Sequence, residues 1–398
     1  MTTLQFLISA LVIVSLGFQI TKQQVNKRRH VSGERLAALP HYYGWCAVIW
    51  AVLPAGMIYL AGIFTDAKDN YTLPLLVAVL AIFLVWLLIS PRFHARKHVE
   101  QWLMLVLKLA AAMSILITLL IVGSVLLESV HFFQEVPLHD FLFGTKWSPQ
   151  SAGYATPETL GTHFGAVPVF TGTLLVTTIA VGVAGPLGLF SAIYLSEYAQ
   201  RHTRAILKPV LELLAGIPTV VYGFFAAVLF GPTLREVCSW MGMDVATESA
   251  FVAGTVMGIM IIPFVLSLTD DVMHAVPTAL RDGSYALGAT RAETVWRVIV
   301  PAALPGIMGA FLLAISRAIG ETMIVVMAAG LAANMTLSPL EPVTTVTVQI
   351  VTLLVGDQEF DSAKTLSAFA LGLTLFVLTL LLNIAALVIV KRFRERYD

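Results

Sequence analysis

Nine apolar runs constrain this chain more than any other feature. They lie at about 4–20, 44–63, 72–91, 103–127, 168–195, 206–230, 250–269, 303–330 and 366–390. Each is near the ~20 residues that an α-helix needs to cross a bilayer. Hydrocarbon offers no partner for an unpaired backbone amide, so such runs must be helices. The residue-by-residue alternation of a membrane barrel is absent. Only 12% of the residues are charged, where a soluble domain averages about 25%. The 398 residues therefore supply spans rather than one water-soluble core. The expected fold class is all-α, a polytopic membrane protein of about nine transmembrane helices.

The 24 basic and 24 acidic residues balance, which gives no reason to expect a nucleic-acid partner. Their placement sets the orientation. With the N-terminus outside, the inner segments are 21–43, 92–102, 196–208, 270–301 and 391–398, and they hold eighteen Lys and Arg. The outer loops hold four, Lys68, Lys146, Arg235 and Lys364, and Lys108 and Arg317 lie within spans. Basic residues collect on the cytoplasmic side, which puts the N-terminus outside and the C-terminus inside. Residues 1–20 lack a basic leader and are followed by Lys22, Lys27, Arg28 and Arg29, the order of a retained anchor rather than a cleaved signal. Cys46 and Cys238 offer no disulfide framework, and the nine histidines show no metal-ligand spacing, so no metal site is expected.

The chain divides near residue 100. Residues 1–100 form a three-span membrane region of unknown role, suited to packing, anchoring or a lateral contact. Residues 101–398 carry six spans, a long outer loop (128–167), an interrupted span with Gly182, Gly185, Pro186 and Gly188, and a polar inner loop (270–301). No internal repeat is evident, which weighs against an inverted-repeat carrier. Pro218 removes a backbone donor, so the sixth span is expected to kink or break there, with Gly216 and Gly223 allowing close backbone approach. Irregular backbone at membrane depth needs cover from protein or from a water-filled cavity. The segment is thus either a hinge lining a path or an ordinary proline kink. Gly254-xxx-Gly258 has the spacing that lets two helices touch.

The inner loop reads as helix, turn, helix. Thr278 can cap a first helix through about Leu287, and Gly288 permits the turn. Thr290-Arg-Ala-Glu293 matches a capping box, and Pro301 opens the next span. A short helix exposing Tyr285, Ala286 and Leu287 at the cytoplasmic surface suits either a groove on a partner or the lipid headgroups. The order Asp282-Gly283-Ser284, three residues, Gly288, nine residues, then Val298 and Val300-Pro301 is similar to the loop by which ABC-importer permeases grip their ATPase: E-A-A, three residues, G, nine residues, I-x-L-P. Gly283 in place of an alanine would soften the first helix.

Two charges stand inside the eighth span, in Ser316-Arg317-Ala-Ile-Gly320-Glu321-Thr322. Buried charges are costly and usually face a protein interior or a path. At a spacing of four, Arg317 and Glu321 would share one helix face. They read as an oxyanion site or as a self-neutralising structural ion pair. In the first case Arg317 offers a planar fork. Glu321 would accept the proton of hydrogen phosphate and repel sulfate, which has none. Glu212, near the inner end of the sixth span, could pair with Arg317, help form a gate, or face water. Lys108 is explained by snorkelling. Asp270 and Asp271 are expected on the loop's solvated face. No phosphate-cradling glycine loop with Lys-Ser or Lys-Thr occurs, so no cofactor is expected in this chain.

Residues from about 100 to the end resemble the permease subunits of phosphate-specific ABC importers, the PstC type in particular. The residues that carry the resemblance are Phe141-Leu-Phe-Gly-Thr-Lys-Trp147-Ser-Pro149, Phe164-Gly-Ala-Val-Pro168 with Gly172-Thr-Leu-Leu, Glu212 through Gly223, and Arg317-Ala-Ile-Gly-Glu321-Thr-Met. The resemblance implies a six-helix type I importer core in the bacterial inner membrane. Its implied function is ATP-driven inward movement of phosphate. The partners it implies are a second, similar permease, two ATPase subunits holding ATP and magnesium, an extracytoplasmic phosphate-binding protein and a phosphate-signalling regulator. It also implies a substrate path through Arg317, Glu321, Thr322 and Glu212, and ATPase coupling through residues 282–288, Thr290, Glu293 and Pro301. Other readings are a permease for molybdate or sulfate, an ion-coupled carrier using Arg317 and Glu321, and a phosphate-sensing membrane protein.

Overall fold

The computed structural model describes residues 3–31, 38–64, 71–88, 93–154, 156, 159–242, 246–355 and 362–393. They are almost wholly helical; the only extended pairing among them is an isolated bridge between Trp147 and Phe164. In chain order the helices are α1 (Thr3–Val31), α2 (Pro40–Phe64), α3 (Thr72–Leu88), α4 (Ala95–Glu135), α5 (Leu138–Phe143), α6 (Val167–Ile193), α7 (Arg201–Ala215) and α8 (Thr219–Phe225). They continue with α9 (Gly231–Trp240), α10 (Ala250–His274), α11 (Thr278–Ala286), α12 (Arg291–Thr294), α13 (Val300–Ile319), α14 (Met323–Ala328), α15 (Val346–Leu354) and α16 (Ala363–Phe393).

By length and apolar content, seven helical stretches among the described residues can cross a membrane. The expected spans outside that set are 4–20, within α1, and 72–91, whose described helix ends at Leu88. Two expected spans are displaced. Residues 206–215 belong to α7, an amphipathic helix that buries none of its residues, and the membrane stretch starts after the break, at Thr219. The expected span 303–330 instead starts at Arg291 and stops at Ile319, because the helix ends at Gly320 and restarts at Met323.

The chain forms two compact units, Met1–Leu120 and Ile121–Asp398, and the division falls within α4. In the first unit α1, α2 and α3 pack on one another. Val25, Tyr43, Cys46 and Ala95 form its buried apolar centre, and the Tyr43 hydroxyl donates to the Phe93 carbonyl at 3.0 Å.

The second unit is built around α6 and α10. Gly254 and Gly258 let these helices touch, since a Cβ at Gly258 would lie 2.8 Å from the Ala180 carbonyl oxygen and from Val183. At Gly254 it would lie 2.7 Å from Ile179. Small residues at such positions give dispersion contact along the whole pair. At the outer end, Phe132, Phe141 and Phe164 meet edge to face, and the Trp147 indole donates to Gln349 Oε1 at 2.9 Å. The Gln349 amide in turn donates to Thr344 Oγ1 and the Leu331 carbonyl, so a buried polar group is fully engaged. This cap joins Phe141–Pro149 and Phe164–Pro168, the two outer segments that the sequence singles out, to α15.

Candidate functional site

The inner loop is a braced projection with an apolar tip. Its first helix, α11, runs from Thr278 to Ala286 and buries nothing. Thr278 is the first helical residue and not its cap; Pro277 holds the cap position and makes no side-chain cap bond. Gly288 makes the turn at φ +85°, a left-handed backbone that a Cβ would strain. The capping box is complete: Thr290 Oγ1 accepts from the Glu293 amide, and Glu293 Oε2 accepts from the Thr290 amide at 2.9 Å. Beyond it α12 does not end. It passes through a wide π turn (Val295–Ile299) into α13, with Pro301 in the first turn of the latter. Tyr285, Ala286 and Leu287 are all exposed, Leu287 by 90%, while Asp282 and Gly283 face open space.

Polar side chains fasten the base of this loop. Arg281 donates to the carbonyls of Met273 and Val276 at the end of α10 and to Glu197 Oε1 at 3.0 Å. Glu197 is buried in the π turn that ends the α6 helix. Ser284 and Thr294 share a hydroxyl hydrogen bond of 2.9 Å across the turn, and the Arg291 guanidinium stands 5.3 Å above the Tyr198 ring.

Asp270 is not on a solvated face, as the sequence suggests, but fully buried. Its carboxylate accepts from Arg204 and from Lys208, each at 2.9 Å, and Lys208 also reaches Asp271 at 3.1 Å. His274 contacts the same group and also Arg204 and Ser196. Bonding to Asp270 pushes the Lys208 ammonium above its ordinary range despite partial burial, so it stays charged. A buried carboxylate is tolerated only with such pairing.

The break in the sixth expected span is present. α7 ends at Gly216, and α8 begins after Pro218. The Tyr222 hydroxyl donates back to the Leu214 carbonyl at 3.0 Å and holds the two arms together. Gly223 is not at the break: it lies inside α8, where a Cβ would stand 2.9 Å from Met327 Sδ and 3.1 Å from the Met323 carbonyl, so it is where α14 comes close. Glu212 is exposed on α7 and makes no ion pair with Arg317.

Arg317 and Glu321 do not share a helix face, because the helix ends between them. Nor do they pair: among the described residues no carboxylate lies within ion-pairing distance of Arg317. The self-neutralising ion pair is not formed between them. The Arg317 guanidinium lies 5.5 Å above the Phe264 ring, with one N–H toward Met260 Sδ at 3.8 Å. Both contacts come from one face of α10, and the Arg317 side of α13 is exposed in the single chain. Glu321 caps α14, its Oε1 accepting from the amides of Met323 and Ile324 at 3.1 and 3.4 Å. Its own carbonyl accepts from the Thr347 hydroxyl at 2.8 Å, while Thr322 turns to the Gly320 carbonyl.

The structure thus brings the loop residues together and separates the path residues. Sequence reading missed Arg281, Glu197, Arg204 and Lys208; the only available signal was that four charged side chains cluster near the ends of apolar runs. Among the described residues no three His, Cys, Asp or Glu side chains gather as a metal site would require.

Residues 184–395 match the family described as binding-protein-dependent transport system inner membrane component. Residues 7–68 match a second family model, described as phosphate ATP-binding cassette transporter. The probable ABC transporter permease protein YqgH of Bacillus subtilis is 36% identical over 61% of this chain and 74% of its own length. The phosphate transport system permease protein PstC 1 of Mycobacterium tuberculosis is 33% identical over 68% of this chain and 84% of its own. The phosphate transport system permease protein PstC of Mesorhizobium japonicum is 33% identical over 76% of this chain and 90% of its own.

Proposed function

The chain belongs to the family of binding-protein-dependent transport system inner membrane components, and on that premise we propose that it is the permease subunit of an ATP-driven importer carrying inorganic phosphate into the cytoplasm. It is a multi-pass inner-membrane protein and a transport component rather than an enzyme. The solute assignment draws on the names of the relatives and on the phosphate description matched by residues 7–68. Family membership brings with it a separate ATPase and a solute-binding protein. We extend this to a heterodimer with a similar permease, to two ATPase subunits that hold ATP and magnesium, and to a signalling regulator.

The observation that carries the reading is the inner loop. An apolar tip on a short, braced helix is built for insertion into a groove on a partner. Headgroup contact alone would leave the bracing by Arg281, Glu197 and the capping box without a purpose. ATP-driven movement of α11 is the coupling step in this account, with residues 282–288, Thr290, Glu293 and Pro301 shaping the element.

For the solute, Arg317 is the group that faces the path. It has a fork of donors, no acid partner among the described residues, and a side that this chain leaves open. A charge so placed needs a counter-ion, and an oxyanion in transit supplies one. Glu321 keeps one carboxylate oxygen on backbone amides, which leaves the other to accept the proton of hydrogen phosphate.

The test is uptake of radiolabelled phosphate in cells lacking this chain and restored with it. Uptake that returns and resists excess sulfate and molybdate supports the proposal. Uptake equal in all strains, or abolished by sulfate or molybdate, sinks the phosphate assignment.

A further inference from the structure

The amphipathic helix α7 leads from the inner end of α6 to the Gly216–Pro218 break, yet it buries none of its own residues. Its apolar anchorage is slight: Leu211 packs beside Ala192, Leu195 and Leu266. What holds it is charge. Arg204 and Lys208, one turn apart on α7, both close on Asp270 of α10, which is fully buried. Four residues further along, at His274, α10 ends, and Arg281 of α11 caps that end through the Met273 and Val276 carbonyls while gripping Glu197 of the α6 terminus. One continuous set of polar contacts thus ties the loop, the ends of α6 and α10, and the helix that runs into the break.

We propose that Asp270, Arg204 and Lys208 are positioning residues that latch α7 to the base of the coupling loop, so that displacement of α11 by the ATPase is delivered as a rigid movement to the Gly216–Pro218 break. The inference rests on the docking reading of the loop. A packed helix would slide against its neighbour as side chains repacked. A helix held by a buried carboxylate shared between two cations has one low-energy seat, because removal of either side leaves an uncompensated buried charge. Such a seat transmits motion without lag, and coupling travels through contacts that have discrete arrangements. The residues need not touch the solute or the ATPase.

The test uses the complete transporter in lipid nanodiscs and proteoliposomes. The variant Asp270→Asn/Arg204→Gln/Lys208→Gln removes the latch without stranding a charge in the interior. Spin labels at Ala205 of α7 and Ala279 of α11, both exposed, report whether the two helices move together. The latch predicts an unchanged label separation on ATP binding in the native background and a shifted or broadened one in the triple variant. It also predicts that less phosphate is moved per ATP hydrolysed in the triple variant than in the native complex. ATPase subunits should still co-purify with the variant. An unchanged separation in the triple variant, or undiminished uptake per ATP there, overturns the proposal. If the triple variant does not assemble, Lys208→Gln alone, which leaves Arg204 on Asp270, must give the same effects in smaller measure; no loosening there overturns it equally. Docking is judged separately by Leu287→Asp, which should lose the ATPase subunits. Retention of them refutes docking while leaving the label separation to decide the latch.

Discussion

Truncating Leu287 to alanine separates docking from folding, because this side chain is 90% exposed and supports nothing within its own chain. If the loop tip enters a groove on the ATPase, Leu287 becomes buried there. The substitution deletes three carbons, and burial stabilises by about 0.8 kcal/mol per methylene-sized group. The loss is therefore about 2 kcal/mol of association free energy. At about 1.4 kcal/mol per factor of ten, ATPase subunits should bind about 30-fold more weakly. The fold itself should hardly notice, since exposed substitutions of this kind usually change stability by no more than ~0.5 kcal/mol. Titration of purified ATPase onto the permease in nanodiscs reads the first quantity, and thermal unfolding of the permease alone reads the second. An affinity within about threefold of native would refute the claim that the tip is a docking knob. A clear drop in thermal stability with no change in affinity would refute it too, and would assign Leu287 a packing role that its exposure denies.

Loss of the capping box through Thr290→Ala should cost about 1 kcal/mol of local stability, seen as faster amide exchange over residues 291–299, with phosphate uptake reduced but not lost. Gly258→Leu forces a side chain into a space where even a Cβ lies 2.8 Å from the Ala180 carbonyl; overpacking of this kind costs about 1–3 kcal/mol or more and should lower the thermal midpoint and the yield of assembled complex. Glu321→Gln keeps an acceptor for the Met323 and Ile324 amides, so the fold should stand while sulfate begins to compete for phosphate uptake; preserved discrimination would remove the carboxylate from selectivity.

What the sequence disclosed is what local chemistry writes into it. Gly288, Thr290 and Glu293 specify a turn and a cap within a few residues of one another, and the structure has both. Pro218 announces its own break, and Gly254 with Gly258 their close contact. Most of the failures come from partners distant in sequence, and one from a local helix end. Asp270 looks solvated beside Asp271 until Arg204 and Lys208, more than sixty residues earlier, close over it. The spacing of Arg317 and Glu321 suggests one face only if the helix continues. Gly320 ends it, and Glu321 gives one carboxylate oxygen to the next helix. Gly223 does give the close approach expected of it, and its partners are Met323 and Met327 on α14. The span limits failed for a related reason: apolar content alone did not separate the surface helix α7 from the membrane stretch after Pro218.

The central claim is that ATP hydrolysis on a partner, acting through this chain, moves phosphate inward. Proteoliposomes holding the chain with its partner permease, ATPase and phosphate-binding protein, given radiolabelled phosphate, test it directly. The account predicts accumulation that needs ATP and a hydrolysis-competent ATPase, that persists when ionophores collapse every ion gradient, and that disappears with Arg317→Ala in a fully assembled complex. Accumulation that proceeds without the ATPase and stops with the ionophores would contradict it and make the chain an ion-coupled carrier.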